Sequence, residues 1–109
     1  MKIEIVEYKG AKIIALSGEI DMHSSPDLRK ELLLLVGKKI PTLLVDLKAV
    51  SYIDSSGIAT FVEGLKGMMS YGGKLKFFDV PQSAMEIFSF AKLDKVFEIF
   101  GNIDDAFSR

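Results

Sequence analysis

The most constraining stretch of this 109-residue chain is its middle, where an apolar run of strand length gives way abruptly to helical spacing. Thr42-Leu43-Leu44-Val45-Asp46-Leu47 reads as an inner strand, and Val50-Ser51-Tyr52-Ile53 carries the apolar character up to Asp54. Beyond it Ile58, Phe61, Val62, Leu65, Met68 and Met69 recur at the spacing of one helical face. Strand, turn and helix therefore meet at Asp54-Ser55-Ser56-Gly57. Ser55 or Ser56 can cap this helix by accepting from a first-turn N–H, and the Asp54 charge suits the positive end of the helix dipole. A serine in this place is also a good phosphate acceptor, because free N–H groups of the first turn can hold phosphate oxygens. Capping and modification are compatible, one serine serving each.

The flanking sequence builds outward from this centre. Lys2 to Tyr8 and Ala11 to Ser17 are rich in Ile and Val, and Lys9-Gly10 between them suits an antiparallel hairpin. Gly18 to Pro26 reads as a loop, with Ser25 at the N-cap, Pro26 at the first helical position and Asp27 favouring the dipole. The helix expected from Pro26 to about Val36 aligns Leu28, Leu32, Leu35 and Val36 on one face. Leu33 and Leu34 fall off that stripe, either as ordinary surface residues or as a contact patch. Gly37 to Pro41 reads as a loop. The central helix, about Ser56 to Tyr71, contains Gly64 and Gly67, each costing roughly 1 kcal/mol relative to alanine, so tertiary packing has to hold it. Gly72-Gly73 ends it, and Lys74 to Val80 is a further strand. Pro81 opens a helix with Ala84, Ile87, Phe88 and Ala91 spaced for burial. Val96 to Phe100 is a short strand, and Asn102 with Asp104 and Asp105 looks like the capped start of a terminal helix. The order β-β-α-β-α-β-α-β-α predicts a single α/β domain over residues 1–109. Its mixed sheet of about four to five strands should be fed by right-handed crossovers and covered by about four helices.

Composition narrows the functional classes. With 49% hydrophobic residues and a mean hydropathy of +0.26, one globular domain is expected. Lys and Arg total 14 against 15 Asp and Glu, with no basic run of the kind that binds nucleic acid, so a protein or small molecule is the expected partner. The chain has no membrane-length apolar stretch, and Met1-Lys2-Ile3-Glu4-Ile5 alternates unlike a signal peptide, so a cytoplasmic location without a membrane partner is expected. The absence of cysteine and a single histidine argue against a metal centre, and no cofactor motif is present. The glycines before Lys74 lack the spacing of a phosphate-binding loop and stand at a helix end. Tyr52 to Gly57 lacks the first glycine of a nucleophile elbow. His23 with Ser55 and one of Asp21, Asp46 or Asp54 is a weak basis for a triad, since a lone loop histidine is usually polar surface. Glu19 with Asp21, and Asp104 with Asp105, read as loop and first-turn charges. No catalytic residue is expected.

Four blocks together carry a family resemblance. Asp54-Ser55-Ser56-Gly57-Ile58, preceded by Val45-Asp46-Leu47 and Val50-Ser51-Tyr52-Ile53, resembles the signature of the STAS domain family, in particular of bacterial anti-sigma factor antagonists. Gly18-Glu19-Ile20-Asp21, Gly72-Gly73-Lys74-Leu75 and Met85 to Phe100 resemble further blocks of that family in the same order. The resemblance implies a STAS-like fold and a partner switch. The unmodified antagonist binds an anti-sigma factor, usually also a serine kinase, and a serine phosphatase resets the phosphorylated form. By position Ser55 is the acceptor; Asp54, Ser56, Gly57 and Ile58 flank it, and Asp21 and the loop to Ser25 lie beside it. A monomer or weak homodimer is expected. The alternative is a STAS interaction module of a transport or signalling complex, without phosphorylation. Gly64 and Gly67, which would loosen the central helix, and the off-stripe Leu33 and Leu34 stand apart from the family pattern.

Overall fold

The computed structural model describes residues 1–109. Strand β1, Lys2–Tyr8, turns back on β2, Ala11–Ile20, through Lys9 and Gly10 at φ 49° and 86°. Positive φ at both positions is what a tight hairpin demands, and it places Tyr8 opposite Ala11 and Ile5 opposite Ile14. Then follow α1 (Ser25–Gly37), β3 (Thr42–Ile53), α2 (Ser55–Met69), β4 (Lys74–Phe78), α3 (Gln82–Phe90), β5 (Glu98–Phe100) and α4 (Ile103–Ser108). The element order is the one read from the sequence. The sheet runs β1-β2-β3-β4-β5, antiparallel at its first pair and parallel at the others.

Two strands are longer than their residue types suggest, and for one reason. Register shifts between Ala15 and Ser17 and between Gly18 and Glu19, with Gly18 at φ 90°, let β2 bulge and continue to Ile20. Its extension pairs Ser17 with Ala49, Glu19 with Tyr52 and Ile20 with Ile53, so β3 runs unbroken through Lys48 and Ala49. Gly18 to Ile20 is therefore strand and not loop. Other boundaries move by smaller amounts. The first helix begins at Ser25, α2 ends at Met69 ahead of Tyr71, and β4 stops at Phe78 ahead of Asp79, whose φ is 51°. Ala91 is exposed at the end of α3 and not buried as its spacing suggested.

The core lies on both faces of β3, which explains its continuous apolar run. Leu43, Val45 and Leu47 join Leu28, Leu32, Phe61, Met68, Phe77 and Phe88 under α1, α2 and α3. Leu44 joins Ala11, Ile13, Phe78 and Ala106 on the other face, under α4. Phe77 is the aromatic hub, with ring centroids 5.1 Å from Phe61, 5.6 Å from Phe88 and 4.8 Å from Phe97. Lys76, only 3% exposed, donates to the Ala106 carbonyl at 3.0 Å and so ties α4 to the sheet. The Tyr71 hydroxyl donates to the Ile40 carbonyl at 2.7 Å. Leu33 is half-buried and Leu34 is 50% exposed.

Gly64 and Gly67 do not loosen α2; they are where α1 seats against it. A Cβ at Gly67 would lie 2.9 Å from Val36 Cγ1, and one at Gly64 3.3 Å from Leu32 Cδ1. Gly57 is tighter still, since its Cβ would fall 2.7 Å from Ile20 Cγ2 and 3.0 Å from Ile53 Cγ2. Gly57→Ala should accordingly destabilise the protein by about 1–3 kcal/mol despite alanine's helix propensity, because two buried branched side chains on neighbouring strands must move. At Gly64 the obstacle is the end of one leucine, so Gly64→Ala should stay within about 1 kcal/mol of the parent. Urea unfolding of both variants checks this; a Gly57→Ala protein as stable as the parent would contradict it.

Candidate functional site

The parallel pairing of β2 and β3 brings their exits together. Ile20 stands beside Ile53, and the Asp54 N–H donates to the Ile20 carbonyl at 3.0 Å. Each strand then passes through an aspartate turn into a helix, so the N-termini of α1 and α2 lie side by side.

At the β3 exit the cap is Asp54, not Ser55 or Ser56. Its backbone is extended, and Oδ1 accepts from the N–H of Ser56 at 2.9 Å, the N–H of Gly57 at 3.2 Å and the Ser56 hydroxyl at 2.5 Å. A carboxylate reaches two first-turn donors at once, an arrangement a serine hydroxyl does not match. The Ser56 hydroxyl bond foremost, then the N–H donors of Gly57, Ser56 and Met22, hold the Asp54 carboxyl below the usual carboxylate range; partial burial opposes them.

At the β2 exit Asp21 makes a comparable turn. Its Oδ1 accepts from the N–H of His23 at 2.9 Å and of Ser24 at 3.0 Å, while the Ser24 hydroxyl accepts from the Asp21 N–H and donates to the Glu19 carbonyl, each at 2.9 Å. The Ser24 N–H is the main reason that the Asp21 carboxyl also lies low. Ser25 does not cap α1 as its position before Pro26 suggested. It is the first helical residue, 5% exposed, and its Oγ lies 3.0 Å from Ser56 Oγ. The single Ser56 proton goes to Asp54, so Ser25 donates to Ser56, completing a chain from α1 through Ser56 to the Asp54 carboxylate.

Ser55 is the exception in this network. It is exposed, and its hydroxyl makes no hydrogen bond. Met22 at 69% exposure and Tyr52 at 51% supply apolar surface at the two strand exits. A groove of about 500 Å³ opens between the two helix N-termini, lined by Met22, Ser25, Pro26, Arg29, Ser56 and Glu63 among others. Arg29 meets Glu63 there with two nitrogen–oxygen contacts of 2.8 Å. Gly57 is buried and Ile58 half-buried, so both support the turn from beneath. His23 is joined to the turn by its backbone, and no hydrogen bond links it to Ser55, which leaves the triad geometry unformed. No group of acidic or histidine side chains converges as a metal site.

Asp21, Ser25, Asp54, Ser55 and Ser56 are thus gathered at one end of the molecule, as the family resemblance implied. Within the loop from Asp21 to Ser25 the individual parts of Met22 and Ser24 were not anticipated, nor were the parts of Tyr52 and the Arg29–Glu63 pair. Asp21-Met22-His23-Ser24 does carry a signal for a local turn, an aspartate followed by a serine within reach of its own backbone.

The depressed Asp54 carboxyl makes a stability prediction with a definite sign. Its contribution is present above the unfolded carboxylate value, about 3.9, and is lost as pH falls through the lower folded value. Asp54→Ala should cost about 1–2 kcal/mol at neutral pH, whereas Asp54→Asn, which can still accept from N–H groups, should cost less and flatten the acid limb of the stability curve. Urea unfolding across the acid range checks this; an unchanged acid limb in Asp54→Asn would count against the assignment.

The chain is similar to known proteins both in sequence and in architecture. Residues 2–106 match the family model of the STAS domain. The chain is 34% identical over 86 residues to an anti-sigma-B factor antagonist of Bacillus subtilis, covering 79% of this chain and 78% of the relative. It is 31% identical over 100 residues to an anti-sigma-B factor antagonist of Listeria monocytogenes, covering 91% and 88%. The crystal structure of an anti-sigma factor antagonist from Mycobacterium paratuberculosis superposes with a TM-score of 0.90 over 98% of this chain and 91% of that one, at 24% identity, a likeness of fold. With nearly its whole length matched, from β1 into α4, this chain belongs to the STAS domain family.

Proposed function

We propose that the protein is an anti-sigma factor antagonist: unphosphorylated, it binds an anti-sigma factor with serine kinase activity and so releases a sigma factor, and phosphorylation of Ser55 ends that binding. The names of its relatives support the first half of this reading. The observation that carries the second half is the unequal state of two adjacent serines. Ser56 has its proton committed to Asp54 and accepts from Ser25, whereas Ser55 is exposed and uncommitted. An incoming kinase meets one free nucleophile and one that would have to be pulled out of a network.

The same network says where the phosphate charge acts. Phosphorylation adds about −1.5 to −2 charges at neutral pH. Because Asp54 already occupies the N–H groups of Ser56 and Gly57, most of the helix N-terminus is unavailable to hold a phosphate within the fold. The charge is therefore presented outward, next to the Asp54 carboxylate and at the end of the molecule that also carries Asp21. A partner surface formed around a neutral hydroxyl must then desolvate it or reject it. A 100-fold loss of affinity requires only about 2.7 kcal/mol, within the cost of one misplaced charge, so the fold need not change.

In this role the chain is a substrate and a binding module. The kinase supplies ATP and catalysis, and a separate serine phosphatase removes the phosphate; the chain contributes no catalytic group, cofactor or metal. A cytoplasmic location goes with this reading, and no helix is long and apolar enough to cross a membrane.

Titration calorimetry with the anti-sigma factor captured by the wild-type protein tests the reading. Ser55→Ala should bind within about threefold of wild type and incorporate no phosphate, while Ser55→Asp should weaken binding by roughly tenfold or more, less than phosphate itself because it carries less charge. Unchanged phosphate incorporation in Ser55→Ala would overturn the assignment.

A further inference from the structure

The near-zero net charge conceals a division of the molecule into two electrically different ends. Because β2 to β5 run parallel and each crossover carries a helix, the strand N-termini and helix C-termini gather at the end remote from Ser55. Thr42 stands beside Lys74 there, and the loop before β3 is fastened to the start of β4 by the Lys74 N–H donating to the Pro41 carbonyl at 2.9 Å. This end carries Lys38, Lys39, Lys66, Lys74, Lys92 and Lys95, all exposed and none used by either ion pair, against the carboxylates of Asp94 and Glu98 and of Glu7, which is paired with Lys12. The opposite end carries Asp21, Asp27 and Asp54.

Compensation of helix dipoles accounts for only part of this set. Lys66 lies in the last turn of α2, Lys38 is the C-cap of α1, and Lys39 and Lys92 directly follow the caps of α1 and α3, whereas Lys74 and Lys95 stand away from any helix end. Lys39 and Lys92 moreover hold left-handed backbone conformations, φ 55° and 61°, at exposed positions where glycine or asparagine would be the unstrained choice. The same end exposes large apolar side chains: Phe90 at 93%, Met69 at 65% and Val96 at 55%.

We propose that this end docks on an anionic lipid bilayer, its lysines meeting the headgroups and Phe90, Met69 and Val96 entering the interfacial layer. Nucleic acid phosphates would satisfy the lysines but leave the aliphatic Met69 and Val96 without a contact, and the combination of cations with exposed apolar side chains suits a bilayer. The expectation of no membrane partner rested on the lack of a membrane-length apolar stretch, and a peripheral contact of this kind needs none. Docked in this way, the protein turns its acidic end and Ser55 away from the lipid, so partner exchange at Ser55 can proceed on the membrane. The inference does not depend on phosphorylation.

Co-sedimentation of the full chain with phosphatidylglycerol-containing vesicles, compared with phosphatidylcholine alone, tests it. Binding should require the anionic lipid and fall with added salt. Lys92→Gln/Lys95→Gln should weaken it by about tenfold, Phe90→Ser should weaken it at least several-fold, and Lys2→Gln/Lys48→Gln, placed elsewhere, should leave it unchanged. All these positions are exposed, and unchanged urea midpoints confirm folding. No binding to anionic vesicles at low salt, full binding by Phe90→Ser, or an equal loss from Lys2→Gln/Lys48→Gln would overturn the proposal. Retention on duplex DNA or polyglutamate without vesicle binding would overturn it in favour of those partners.

Discussion

The Asp54 carboxylate is the interaction on which the functional end of this molecule depends. By taking the N–H groups of Ser56 and Gly57 together with the Ser56 hydroxyl, it starts α2, fixes Ser56 and leaves Ser55 standing free. It can do so only because β2 and β3 pair to their last residues, which brings the Ile20 carbonyl to the Asp54 N–H and Ser25 of α1 to Ser56. Gly57 completes the arrangement, since any side chain there would push Ile20 and Ile53 apart. A bulged strand, a capping carboxylate and a glycine thus cooperate to present one hydroxyl.

The one-way succession of parallel strands then separates the chemistry of the two ends. Helix N-termini and the aspartates that favour them collect around Ser55. Helix C-termini, exposed lysines and exposed apolar side chains collect at the other end. Such a domain can engage two surfaces without moving internally, because neither surface uses the residues of the other.

Much of the fold was legible in the sequence because its signals are local. Period-two and helical spacing marked the elements, Lys9-Gly10 marked the hairpin and Asn102 marked the last helix, where its side chain accepts from the Asp105 N–H at 2.9 Å. What stayed hidden depended on contacts between distant residues. The extension of β2 through Gly18 to Ile20 exists because β3 pairs with it, and the glycines of α2 acquire their meaning only against Leu32 and Val36 of α1. The burial of Lys76 likewise needs the Ala106 carbonyl, thirty residues away.

The site divides in the same way. Its members could be gathered from family likeness, but their division of labour could not. A serine and an aspartate compete for the cap, and the winner is decided by the extended backbone of Asp54 and by the reach of its carboxylate to the N–H groups of Ser56 and Gly57. The most direct test of the central claim is phosphopeptide mapping of the protein isolated from its native cells, joined to the identity of what co-purifies with the unmodified pool. Phosphate on Ser55 with Ser56 unmodified, and an anti-sigma factor bound only to the unphosphorylated form, is the expected result. Phosphate on Ser56, or an anti-sigma factor retained equally by both forms, would contradict it.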